Sequence, residues 1–257
     1  MASNRLLDRL ARFELALAHF NACRTSALPE ATVRTGSTQH FNWIADSARP
    51  SSTYYNRAIA SEVGNLHTTL LSELPDCIAA VEIRPAEVQP QIVNQLLSTG
   101  FRPGSSLCYL SALTPAKPMD VQLQVTRLAR TQTDPFFDLL ESSGVPFPSE
   151  RRAAKQNFYC TEQFQAFVAT DVKGSVMGWG TMFLNEDSAF LGNSFTHPEM
   201  RGRGAHAALL AARLNAAAAA GVADIFTDVE HGSQSHANCE RAGFRTITIN
   251  TIWERSA

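Results

Sequence analysis

The segment Thr196-His-Pro-Glu-Met-Arg-Gly-Arg-Gly-Ala-His-Ala-Ala-Leu-Leu210 holds the residues whose spacing most plainly does chemistry. An apolar run, Ala189-Phe-Leu-Gly-Asn-Ser-Phe195, precedes it, and an alanine-rich stretch ending at Gly221 follows. Strand, glycine-bearing turn and helix therefore succeed one another almost without a spacer. That order aims backbone N–H groups at a helix N-terminus, where the dipole is positive and the first amides have no internal acceptor. Such a turn holds a phosphate or pyrophosphate, and so a nucleotide-like cofactor. The main-chain groups in question are those of Gly202, Arg203, Gly204, Ala205, His206 and Ala207, with Arg201 and Arg203 as sources of charge.

A second set of candidates lies downstream. Glu230 and His231 follow the strand Ala223-Asp-Ile-Phe-Thr-Asp-Val229 as an adjacent titratable pair. Either could accept a proton near neutral pH, and burial beside Phe226 and Val229 would suit the carboxylate to that task. The plainer alternative is a solvated loop pair. His231 and His236 stand five apart without a cysteine or carboxylate pattern, which argues against a metal site. Gly-Lys-Ser/Thr is absent, which excludes a P-loop. A dinucleotide-binding oxidoreductase would need its glycines after the first strand of a doubly wound unit, whereas this turn comes late.

The elements that must position these residues fall into two units. Leu6, Leu10, Phe13, Leu17 and Phe20 recur at helical spacing and predict an amphipathic helix over 4–24. Short strands are expected at 40–46, 53–61 and 79–84, helices at 66–74 and 86–99, and a strand at 101–113. Gly100 stops the second helix. Thr114-Pro-Ala-Lys-Pro118 then breaks the pattern, dividing the chain into domains 1–115 and 119–257. The second domain reads as strands at 121–128, 164–170, 175–184, 189–195, 223–229 and 244–253, with helices at 133–142, 149–156, 203–220 and 233–242. Residues 80–113 and 223–253 echo each other, each running strand, helix, Gly-Phe-Arg, strand. Only the second copy is preceded by the Arg-Gly-Arg-Gly turn.

Bulk composition narrows the class. The 257 residues are 44% hydrophobic and 18% charged, as expected of a soluble globular protein. A net charge of −2 offers no basic excess for nucleic acid or an anionic membrane. Cys23, Cys77, Cys108, Cys160 and Cys239 are scattered and form no Cys-x-x-Cys pair, which fits a reducing cytoplasm. The N-terminus carries charges inside its apolar pattern, unlike a signal peptide.

With these residues in view, the chain resembles the GNAT superfamily of acyl-CoA-dependent N-acyltransferases. The family signature Gln/Arg-x-x-Gly-x-Gly/Ala is met by Arg201 and Gly204, while His206 stands where Gly or Ala is usual. Thr196-His-Pro-Glu199 and Arg241-Ala-Gly-Phe244 are also similar to the family. The resemblance covers about 121–255 well. The whole chain resembles proteins with a degenerate N-terminal GNAT-like half before an intact one. It implies an α/β fold of tandem, mixed, mainly antiparallel sheets flanked by helices. It further implies acetyl-CoA or another acyl-CoA as cofactor, and acyl transfer to the amine of a small molecule or peptide.

The resemblance also assigns roles. The strand end Phe195-Thr196-His197 would pair with the pantetheine arm, and the amides of 202–207 would hold the pyrophosphate. In the distal pattern Asn-x-x-Ala/Ser-x-x-x-Tyr, Gly232 occupies the Asn position, Ser235 the Ala/Ser position and Cys239 the Tyr position. The usual tyrosine protonates the leaving thiolate; Cys239 inherits that place, but a small core residue is the better reading of it. Asn238 is a candidate hydrogen-bond partner of the pantetheine. Trp179 and Trp253 pack in the core or line the acyl pocket. A homodimer is compatible with all of this. A non-catalytic acyl-CoA-binding or regulatory protein is the alternative that the missing tyrosine suggests.

Overall fold

The computed structural model describes residues 4–26, 32–60, 70–114, 119–120, 123–145, 147 and 149–255. Contacts divide the chain into two compact units. One comprises Met1–Tyr109 with Val229–His231 and Thr246–Ala257; the other comprises Leu110–Asp228 with Gly232–Arg245. Most of the stretch read as a boundary, 115–118, lies outside the described residues.

In the first unit, α1 (Asn4–Thr25) covers strands β1 (Val33–Ser37), β2 (Phe41–Asp46) and β3 (Asn56–Ala60). β4 (Ala80–Ile83), α2 (Pro90–Ser98) and β5 (Phe101–Leu113) follow. The strand order is β1-β2-β3-β4-β11-β5, where β11 (Arg245–Arg255) is the last strand of the chain. Its partner β4 runs antiparallel to it, with Trp253 opposite Val81. One core is built from Phe41, Ile78, Val81, Ile83, Ile92, Leu96, Phe101 and Trp253, which places Trp253 in packing. A smaller one sets Ala18 and Ala22 of α1 against Ile44. Between these elements Arg57 bridges two buried carboxylates, Glu14 at 2.8 Å and Glu82 at 3.1 Å. Asn250 donates to the second oxygen of Glu82, so the sheet is tied by charge as well as by apolar burial.

In the second unit, the strand order is β10-β9-β8-β7-β6. These are β6 (Gln124–Arg127), β7 (Phe164–Thr170), β8 (Val176–Asn185), β9 (Ser188–Thr196) and β10 (Asp224–Val229). Helices α3 (Thr133–Ser142), α4 (Ser149–Lys155), α5 (Ala205–Ala219) and α6 (Gln234–Arg241) complete it. Antiparallel pairing runs from β6 to β9, and β10 joins parallel to β9. The architecture is thus α/β with a mixed, mainly antiparallel sheet. Helix α5 buries Ala205, Ala208, Leu209, Leu214 and Ala217. Small side chains on that stripe let it lie close to β7, β8 and β9.

Several expectations are adjusted. β1 carries Arg34, Thr35, Gly36 and Ser37, too polar to announce a strand, and is held as an edge by antiparallel pairing with β2. The helix expected over 86–99 splits into a 3₁₀ turn, Pro85–Glu87, and α2, because Pro90 occupies the first turn of a fresh helix. Of the helix expected over 66–74, residues 66–69 lie outside the described residues, and Leu70–Glu73 forms one 3₁₀ turn. The echo between β4-α2-β5 and β10-α6-β11 is structural: Gly100 and Gly243 both end their helices at positive φ, 88° and 96°. Phe101 and Phe244 that follow are both buried.

Candidate functional site

β9 and β10 pair only briefly. Ser188, Ala189 and Phe190 face Asp224, Ile225 and Phe226 in parallel register, and the ladder then stops. The hydroxyl of Thr227 caps it, donating to the carbonyl of Leu191 at 2.7 Å. Beyond that point β9 keeps its partner β8 on one side, as far as Thr196 opposite Gly178, and has no ladder to β10 on the other. The two strands splay at their carboxyl ends, leaving β9 an edge that an extended ligand can join by main-chain hydrogen bonds.

The splayed strand runs directly into the glycine turn. Pro198–Met200 makes one 3₁₀ turn, and Gly202 and Gly204 follow at φ 74° and 85°. Both lie in the left-handed region that glycine enters without steric cost. A Cβ on either would meet nothing within 4 Å, so both glycines border open space. Gly204 is the N-cap of α5, with no side chain capping it. Among the described residues none accepts from the amides of Gly202 to Ala207, and the first turn of α5 has donors to spare. Arg201 and Arg203 are exposed beside them. This cradle fits an anionic phosphate or pyrophosphate.

His206 sits one residue inside α5, half-buried, and its Nδ1 contacts the side-chain amide nitrogen of Asn238 at 3.1 Å. Burial, and then the Arg213 charge, pull its pKa down to about 4. It is neutral at physiological pH. Asn238 is committed within the helices: its oxygen also accepts from Gln234 and Arg241. Ser235 is half-buried on the same helix.

α6 is anchored by Ser233, whose side chain accepts from the backbone N–H of His236 at 3.1 Å. Gly232 has φ 77°, a conformation asparagine also tolerates, and donates to Nδ1 of His236. His236 is therefore a buried structural residue. Cys239 is buried at 2% exposure. Phe195, Thr196 and His197 are half-buried at the strand end. Phe195 stacks on Trp179 at 6.1 Å between centroids and meets the His197 ring edge-on at 5.1 Å. Trp179 is buried, and Phe136 approaches it edge-on.

Glu230 and His231 follow β10, and both are exposed. The burial expected around Glu230 is not present, although Phe226 and Val229 are themselves buried. By contacts the pair groups with the first unit.

Sequence reasoning passed over Arg213. It lies in the middle of α5 at 1% exposure and donates to three backbone carbonyls and the Ser194 hydroxyl. Burial draws its pKa down to about 10, an effect that nearby Cys239 opposes. The one available signal was its place in a helix whose every other neighbour from Ala205 to Leu214 is apolar or histidine.

Residues 128–244 match the family model described as the acetyltransferase (GNAT) family, and this part of the chain is a GNAT acetyltransferase domain. The fold is shared with a GCN5-related N-acetyltransferase from Kribbella flavida: 12% identity, 96% of this chain and 95% of that one covered, TM-score 0.65. A GCN5-related N-acetyltransferase from Sphaerobacter thermophilus is similar at 14% identity, 95% and 90% coverage and TM-score 0.59. A tandem GNAT protein from the clavulanic acid biosynthesis pathway is similar at 11% identity, 97% and 96% coverage and TM-score 0.51. The first half is accordingly a second GNAT-like fold. No curated protein matches the sequence. Acyl transfer is the activity that the family supports.

Proposed function

We propose that this protein moves an acetyl or related acyl group from acyl-CoA to the amine of a small molecule or peptide. The observation that carries the reading is the continuity of the site. β9 leaves β10 after the pair Phe190–Phe226 and leads straight into a left-handed glycine turn with unsatisfied amides. An edge for amide groups and a cradle for pyrophosphate, one after the other, match the chemistry of a pantetheine arm joined to a diphosphate. Acyl-CoA would supply an activated thioester carbonyl.

The chain's own residues would do the rest. The amides of Gly202, Arg203, Gly204, Ala205, His206 and Ala207 bind the pyrophosphate, with Arg201 and Arg203 adding charge. The backbone of Phe195, Thr196 and His197 orients the arm. An acceptor amine is an ammonium at neutral pH and must lose a proton before it attacks. We assign that proton to a carboxylate oxygen of Glu230, with His231 as the second choice. Glu230 directly follows the strand that splays from β9 and is exposed to solvent. Cys239 is too buried to donate to a leaving thiolate, and in this reading it serves the core. Asn238, which contacts His206 at the start of α5, and Ser235 are the α6 candidates for the cofactor.

The acceptor is a small-molecule or peptide amine rather than nucleic acid or a membrane surface, which the net charge of −2 supports. Among the described residues no helix is long and apolar enough to cross a membrane. Five free cysteines suit a cytoplasmic setting. The test is thiol release from acetyl-CoA across a panel of amines, together with calorimetric titration of coenzyme A. Release with at least one amine and one bound coenzyme A per chain are expected. Absence of coenzyme A binding would overturn the reading, and tight binding without release from any amine would make this an acyl-CoA-binding protein.

A further inference from the structure

β8 and β9 fall out of register in one place. Trp179 faces Phe195 and Thr181 faces Gly192, so Gly180 alone stands opposite both Asn193 and Ser194. This is a β-bulge, with Asn193 in the left-handed region at φ 47°. It begins three residues beyond the last pair of β9 with β10 and ends just before the edge segment Phe195–His197.

A bulge leaves ladder carbonyls without their usual donors, and here one side chain meets them. The Arg213 guanidinium reaches across from α5. Nη1 donates to the carbonyls of Thr181 at 3.0 Å and Gly192 at 3.3 Å, on the two strands flanking the bulge. Nη2 donates to the hydroxyl of Ser194, within the bulge, at 2.9 Å. Nε is held by the Leu209 carbonyl at 3.0 Å, which fixes the side chain on its own helix. Among the described residues no carboxylate pairs with this cation. Gly180 makes room for it: a Cβ there would lie 3.0 Å from Cζ and 3.1 Å from Nη1. Thr181 adds a hydroxyl bond to the Gly192 carbonyl, and Asn193 reaches back to that hydroxyl.

We propose that Arg213, seated against Gly180, is a positioning residue that braces the β9 bulge and so sets the strand edge presented to the pantetheine arm of acyl-CoA. The inference rests on the acyl-CoA reading of the site. A planar fork spanning two carbonyls and a hydroxyl fixes both position and angle, which a single-point donor such as lysine does not. Moving the edge by a fraction of a hydrogen-bond length detunes every main-chain bond made to an extended ligand, while the glycine turn five residues on stays as it is.

The test separates the two halves of the ligand. Arg213→Met should bind coenzyme A roughly tenfold more weakly, the loss of about one net hydrogen bond. It should bind 3′-phospho-ADP, which has the diphosphate but no pantetheine, as wild type does. In the ligand-free protein, amides 193–196 should exchange faster with solvent. Gly180→Ala keeps the arginine but crowds it, and should shift coenzyme A affinity in the same direction even if the methionine variant folds poorly. Combined with Arg213→Met, it should add less than it does alone, because both act on one contact.

Equal weakening for both ligands, or unchanged coenzyme A affinity and unchanged exchange at 193–196, would overturn the proposal. Should wild type bind neither ligand, the acyl-CoA reading fails. The exchange measurement then still decides whether Arg213 braces the bulge.

Discussion

Replacing Gly204 with valine isolates the glycine turn. Gly204 holds φ 85° and ψ −1° as the N-cap of α5, and a Cβ built there meets nothing within 4 Å. The Cβ itself meets no obstacle, so the penalty is chiefly conformational. An L-residue in the left-handed region costs about 1–2 kcal/mol, and a β-branched one lies at the upper end. For a chain of this length that lowers Tm by about 2–8 °C. The valine either keeps the turn and projects a branched side chain into the open cradle, or relaxes φ and swings the amides of 202–207 off their common target. Both routes remove charge-assisted hydrogen bonds to a pyrophosphate, each about 1.5–3 kcal/mol, so Kd for coenzyme A should rise roughly tenfold to hundredfold.

Gly221→Val is the matched control. Gly221 is also left-handed, at φ 71°, and equally unobstructed, but it sits past the other end of α5, about 25 Å away along the helix. It should lose comparable stability and keep coenzyme A affinity. Calorimetric titration well below both melting temperatures, with thermal denaturation in parallel, reads the two effects separately. Wild-type affinity in Gly204→Val, or an equal loss in Gly221→Val, would refute the assignment of the phosphate cradle.

The remaining predictions concern protons and the buried thiol. Glu230→Gln should lower kcat by roughly 10²-fold, as for a general base, with Kd for coenzyme A unchanged. Cys239→Ala should keep most of the activity; a dead Cys239→Ala beside a near-normal Glu230→Gln would reverse the assignment. Burial raises the Glu87 carboxyl from 4.5 to about 7, against a backbone hydrogen bond and the Arg84 charge. The folded state then holds its proton more tightly than the unfolded chain, so this residue's contribution is present below pH 4.5 and lost as pH rises through 7. Glu87→Gln should gain up to about 3 kcal/mol over wild type at pH 8 in denaturant titrations and nothing at pH 4. His206 runs the other way: lowered from 6.5 to about 4, its contribution is present above pH 6.5 and lost as pH falls through 4. His206→Gln should flatten that acid limb in thermal scans between pH 7 and 4; an unchanged limb would show that the ring is not held neutral by burial.

What the sequence determined by itself is what short-range chemistry dictates. The strand-turn-helix at 189–220 is legible because left-handed glycines, apolar runs and alanine-rich helices leave local signatures, and Gly202 and Gly204 adopt the φ their types suggest. The repeated Gly-Phe-Arg is legible for the same reason, since a helix stop followed by a buried phenylalanine is encoded within a few residues. Tertiary structure decided the rest. The pairing of β11 with β4 joins residues about 170 positions apart, and nothing in either strand names its partner. Whether Glu230 is buried depends on what packs over it rather than on the apolar residues beside it in the chain. Arg213 is the clearest case. A charged residue within a helix reads as solvent-facing, because burying a guanidinium is costly unless its donors are all met. Four hydrogen bonds serve its five N–H groups here, because the Thr181 and Gly192 carbonyls beside the β9 bulge, the Ser194 hydroxyl and the Leu209 carbonyl converge on it where Gly180 leaves room.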